Sequence, residues 1–151
     1  MVASATMQLR TLLVIATLGW MAGCGKEAGR TPFTAEGEQT ATMELKAGDV
    51  ALWTDIDLEW EGDAALSYKV ELVQNGTTVA SAMCNPLGNL PVKSSWVSTD
   101  IGSKHSRRGN GKMQCDAKLA AGGPTTVKST LAWGRKPASA TMKKADLVVK
   151  Q

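Results

Sequence analysis

The sequence predicts an all-β domain, an antiparallel sandwich of about eight strands, on three observations. Apolar and polar residues alternate with period 2 in one segment after another. Clusters of Gly, Pro, Asn and Asp separate those segments at short intervals. No stretch sustains a helical period, and the only candidate, Asp116 to Ala121, is short.

The elements follow in order. Thr40 to Lys46 opens the series. In the next segment Val50, Leu52, Ile56, Leu58 and Trp60 share one parity with Thr54, while Trp53, Asp55, Asp57 and Glu59 take the other. That is the pattern of a half-buried strand. Tyr68, Val70 and Leu72 repeat it, and Asn75-Gly76, a strong hairpin signal, turns the chain into Thr78 to Met83. Trp96 to Ile101, Met113 to Leu119, Val127 to Trp133 and Thr141 to Val149 complete the set. Breaker clusters stand between them at Asn85 to Asn89, Arg107 to Gly111, Gly122 to Pro124 and Arg135 to Pro137. Jelly-roll or Ig-like connectivity accommodates such a count, with a closed barrel as the less favoured alternative. No internal repeat is present.

The N-terminal segment has a different character. Arg10 supplies a positive n-region, Leu12 to Ala22 form an apolar stretch of eleven residues, and Ala22-Gly23 are the small residues of a processing site. A membrane-spanning helix needs about 20 apolar residues, which no part of the chain supplies. The run Leu18-Gly19-Trp20-Met21-Ala22-Gly23-Cys24 resembles the lipobox of bacterial lipoproteins, with Met21 where that family usually has Leu. An ordinary secretory signal with a chance cysteine is the competing reading. The resemblance implies that residues 1–23 are a signal peptide and that Cys24 becomes the mature N-terminus. Its thiol would carry a diacylglyceryl group and its amine a further acyl chain such as palmitate. The protein would then be attached to a membrane of the bacterial cell envelope through that lipid, at the outer membrane, facing the periplasm or the surface. Met7 could also start the chain, since Met7-Gln8-Leu9-Arg10 already forms an n-region.

Residues 24–38 are polar, glycine-rich and carry Pro32, which reads as a flexible lipid-anchored linker ahead of a domain at 39–151. The Lys46-Ala47-Gly48-Asp49 turn resembles the early part of secreted bacterial β-sandwich modules such as the pre-peptidase C-terminal type, a resemblance too short to carry an activity. Removal of residues 1–23 leaves 128 residues with 16 basic and 14 acidic side chains. That is a single-domain length, and its near-balance of charge gives no reason to expect a nucleic-acid partner.

Cys84 and Cys115 remain once Cys24 is acylated, and in an oxidising compartment a disulfide is the default. Closing a loop of that length is worth about 3.7 kcal/mol in the chain-entropy model. There is no CxxC and His105 is the single histidine, so neither a metal site nor a cofactor is expected.

Three features could carry chemistry. Asp55, Asp57, Glu59 and Glu61 recur every second residue, about 7 Å apart on one strand face. Calcium ligands must converge on one point, so a solvated face with cross-strand lysines is the expected role. The polar segment Ser103 to Lys112 reads as a hairpin loop in which Lys104, His105, Arg107, Arg108 and Lys112 could bind an anion. Trp53, on the acidic parity, is the tryptophan expected to make a surface contact. No nucleophile-elbow sequence is present. The expectation is a non-enzymatic accessory that binds another envelope protein or glycan. The alternative is a carbohydrate- or peptidoglycan-binding module. If Cys24 carries the lipid, Cys24→Ser moves the protein from the membrane pellet to the soluble or precursor fraction on fractionation, because each buried CH₂ of the lost chains contributes about 0.8 kcal/mol to anchoring.

Overall fold

The computed structural model describes residues 25–151; the signal segment and Cys24 lie outside the described residues. The described chain forms nine strands: β1 (Glu27–Thr31), β2 (Gly37–Leu45), β3 (Gly48–Glu61), β4 (Ala65–Gln74), β5 (Thr77–Cys84), β6 (Val92–Ile101), β7 (Lys104–Leu119), β8 (Gly123–Arg135) and β9 (Ser139–Lys150). They make two antiparallel sheets, a five-stranded sheet in the order β1-β9-β3-β7-β6 and a four-stranded sheet in the order β2-β8-β4-β5. All eight strands expected from the sequence are present, packed as a β-sandwich.

The alternation that announces β3 also sets the packing. Leu52, Thr54, Ile56 and Leu58 are fully buried, and from the other sheet Leu66, Tyr68, Val70 and Leu72 of β4 meet them with Val127 and Leu131 of β8. Two polar contacts span the layers. The Tyr68 hydroxyl donates to the Ala145 carbonyl of β9 at 2.8 Å and accepts from the Thr54 hydroxyl of β3 at 3.0 Å. Burial pushes the Tyr68 phenol above its ordinary range, so it stays a neutral donor. Thr31 and Ser129 make a second cross-sheet hydrogen bond at 3.3 Å.

One expectation is corrected. Residues 24–38 were expected to be a flexible linker, but from residue 25 onward they belong to the domain. Lys26 and Gln151 exchange backbone hydrogen bonds at 2.7 and 3.0 Å, β1 pairs with β9, and Phe33 is buried against Tyr68 with ring centroids 6.0 Å apart. Gly29, which reads as linker, is a packing glycine: a Cβ there would lie 2.7 Å from Met43 Cε. A short edge strand held by backbone pairing leaves little trace in hydropathy. Asp116 to Ala121, the one short helical candidate, is strand through Leu119, with Ala117 and Leu119 inward and Asp116 and Lys118 outward, in line with the strand expected at Met113 to Leu119.

Asn75 and Gly76 close the β4–β5 hairpin with φ of 51° and 76°, the left-handed pair that a two-residue turn requires. Cys84 of β5 and Cys115 of β7 form the expected disulfide, joining the two sheets across 31 residues of sequence. Cys84→Ser should lower stability by about 2–4 kcal/mol in denaturant unfolding. It should also leave Cys115 open to alkylation, whereas the intact domain offers neither thiol.

Candidate functional site

The segment expected to be a basic hairpin loop is strand. The turn between β6 and β7 is confined to Gly102 and Ser103, and Lys104 through Lys112 belong to β7. The glycines that suggested a loop serve close approach instead. Gly109 has φ 133° where β6 bulges between Ser94 and Val97, and a Cβ there would lie 2.5 Å from the Ser95 carbonyl oxygen. Gly111 lies beneath the buried Leu90. Both follow the rule that glycine within a strand marks a bulge or a close backbone approach.

Strand geometry then divides the five candidate residues between two faces. Lys104, Arg108 and Lys112 share the outer face, opposite Ile101, Val97 and Val92 of β6 and opposite Glu61, Asp57 and Trp53 of β3. Successive cations are four residues apart, about 13 Å along the strand, so they do not converge on one anion. His105 and Arg107 have the opposite parity, with Trp60 and Leu58.

Those two residues build a compact cluster at one end of the sandwich. His105 Nδ1 lies 2.6 Å from Asp100 Oδ1, and Arg107 donates to both Asp100 oxygens at 2.9 and 3.3 Å. Trp60 stacks on His105 with centroids 5.2 Å apart, and the Arg107 guanidinium lies 5.2 Å from the Trp60 ring. The Arg107 hydrogen bonds, followed by that of His105, hold the Asp100 carboxyl below the usual carboxylate range. Beside the cluster an open trough of about 610 Å³ is lined by Glu59, Glu61, Ile101, Lys104, His105 and Thr141, among others.

Trp53 does not offer the expected surface contact. It is 3% exposed, and the Lys150 ammonium sits 3.8 Å from its ring centroid. On the acidic parity Asp55 has cross-strand cationic partners, while Asp57, Glu59 and Glu61 make no ion pair among the described residues. Asp55 receives Lys144 and Arg30, each at 3.1 Å, and Arg30 also binds Asp146 at 3.0 Å and Glu27 at 2.7 Å. Arg30 went unnoticed in the sequence because it stood in the supposed linker. Among the described residues no cluster of three or more His, Cys, Asp or Glu could hold a metal ion.

The edges of the sheets provide a further candidate surface. β1 is short and carries Glu27 and Arg30, β2 carries Glu38 and Glu44, and β6 is bulged at Ser95 and carries Lys93 and Asp100. Each has a known defence against pairing with another chain. β5, Thr-Thr-Val-Ala-Ser-Ala-Met-Cys, is bulged at Val79 but has no charge and no proline, and pairs regularly with β4 from Ala80 to Cys84. Val79 and Met83 on β5 and Val92, Val97 and Ile101 on β6 are the exposed large hydrophobics of the described residues, at 40 to 72% exposure. β1 lies against β2 on one side of the sandwich, and β5 lies against β7, the neighbour of β6, on the other; the β5 aliphatics face outward from the smaller sheet and those of β6 outward from the larger.

No protein-family model matches the chain, and no curated protein is similar to it in sequence.

The Asp100 cluster has a pH signature. A carboxyl held below its unfolded value adds stability that is present above that value and is lost as pH falls through the folded one. The parent should therefore lose part of its thermal midpoint between about pH 5 and pH 2 that Asp100→Asn, lacking the carboxyl, does not lose.

Proposed function

We propose that this protein is a lipid-anchored, non-enzymatic accessory of the bacterial cell envelope that binds a strand of another envelope protein along β5. The lipobox-like run ending at Cys24 supports the anchor. The observation that carries the binding mode is the uncharged, proline-free β5 edge with Val79 and Met83 exposed, 45% and 63% respectively. An unpaired edge offers a row of N–H and C=O groups to an incoming strand, and alternate side chains supply selectivity. The absence of charge favours an equally uncharged strand with apolar residues at alternate positions.

A non-enzymatic role is supported by the use already made of the histidine. His105 is held by Asp100 and stacked on Trp60, which ties β6 to β7 next to the trough. The carbohydrate-binding alternative would need an aromatic platform, and Trp53 and Trp60 are 3% and 9% exposed.

A photocrosslinking residue at Ser81 should give one discrete adduct in intact cells. Val79→Lys with Met83→Lys should abolish it without unfolding the domain, since both side chains are exposed and edge lysines oppose pairing. Lys104→Ala, Arg108→Ala and Lys112→Ala together should leave it intact. An adduct that survives the lysines, or that vanishes with the three cations, places the contact elsewhere.

A further inference from the structure

We infer that the domain stands end-on against the membrane, with the pole formed by Gly25, the β2–β3 turn, the β7–β8 turn and Gln151 in the lipid headgroup layer. This rests on the lipidation of Cys24 proposed above and follows from the place where the described chain begins. Fourteen extended residues of tether, 25–38, would have let the domain rise about 50 Å from its anchor. That tether does not exist in the fold. Lys26 is bonded to Gln151 in both directions, and Glu27 begins β1. Gly25 lies so close to the last residue that a Cβ on it would be 2.8 Å from the Gln151 carbonyl carbon. Cys24 precedes Gly25 by one peptide, about 3.8 Å between Cα atoms. The headgroup layer on each side of a bilayer is only about 6 Å thick. An acyl chain rooted at Cys24 therefore brings this pole to the surface.

The pole is built to hold its shape. The Gln151 side chain accepts from Lys46 N–H at 2.7 Å and donates to the Lys46 carbonyl at 2.8 Å, tying the β2–β3 turn to the terminus. Gly122 of the β7–β8 turn packs on the same turn, where a Cβ would lie 3.1 Å from the Leu45 carbonyl oxygen. Lys26, Lys46 and Lys118 are exposed here and make no ion pair among the described residues, which leaves them available to headgroup phosphates. Asp49 and Asp116 lie at the same end, so the short connection selects this surface and net charge does not.

Orientation follows. β3 runs from Gly48 at this pole to Glu61 at the other, about 43 Å along the strand, so the trough and the Asp100 cluster face away from the membrane. β5 starts near the lipid at Thr77 and rises from it. Two copies in one leaflet would hold their β5 strands parallel, whereas two-fold-related edges pair antiparallel. The strand that adds antiparallel to β5 is therefore not the β5 of a second copy in the same leaflet.

The test uses the acylated protein in phospholipid vesicles, with a fluorescent amino acid at Ala47 in the β2–β3 turn or at Lys136 in the opposite β8–β9 turn, and a contact quencher carried on lipid headgroups. Fluorescence at Ala47 should be largely lost and that at Lys136 unchanged. Inserting about ten Gly/Ser residues between Cys24 and Gly25 should restore most of the Ala47 signal. Equal quenching at both positions, or none at Ala47, in a chain that is acylated by mass and bound to vesicles overturns the orientation alone. A chain without acyl mass that remains soluble overturns the anchor and the orientation together.

Discussion

The interlock of the two inward-facing rows of side chains, fixed at one point by the Tyr68 hydroxyl, is the constraint on which the rest of the molecule depends. A sandwich core is otherwise made of non-directional contacts, which tolerate sliding better than hydrogen bonds do. Tyr68 of β4 reaches Thr54 on β3 and the Ala145 carbonyl on β9, so one residue of the smaller sheet registers two strands of the larger. Each such bond contributes only about 1 kcal/mol net, but leaving its buried partner unmade costs about 1–3 kcal/mol. A one-residue slip of β3 would also turn Asp55 and Asp57 into the core, at a far larger penalty. Alternation and the tyrosine therefore enforce the same register.

Once that register is set, the outer face of the five-stranded sheet follows from strand pairing. Ile101, Lys104 and Glu61 fall in one cross-strand row, and Val97, Arg108, Asp57 and Lys144 in another. Lys104 and Arg108 thus each stand between an aliphatic and an acid, and Lys112 between Val92 and Trp53. The arrangement is balanced along the sheet, and it presents no concentrated charge to an anion. What the larger sheet offers to the outside is its distal end and its β6 flank, and the smaller sheet offers β5.

The first strand connects this architecture to a cellular role. Arg30 binds Asp55, Asp146 and Glu27 from a segment whose composition suggests a tether. Asp146 is 7% exposed, and its charge is tolerable there because Arg30 is 3.0 Å away. Cutting β1 loose would leave that carboxylate without its partner and uncover Phe33. The N-terminal residues are therefore held by energetics as well as by pairing, and an anchor attached ahead of them acts on the domain as a rigid body.

By itself the sequence determined the all-β class, the eight strands with alternating or apolar patterns, the Asn75-Gly76 hairpin and the Cys84–Cys115 bridge. These are legible because side-chain period and turn chemistry are local, and the two cysteines of the domain have one way to pair. Tertiary structure alone decided the rest. β1 is invisible to hydropathy because its stability comes from backbone pairing with β9 and from Arg30 reaching residues distant in sequence. The basic segment was misread because Gly109 and Gly111 are needed for contacts with Ser95 and Leu90, which no local pattern records. Trp53 shares the acidic parity yet is covered by Lys150, whose sequence position gives no hint of that contact. The β5 edge could be recognised as an uncharged margin only after strand order showed which four strands lie at the margins, since edge or centre is a property of the sheet and not of the strand.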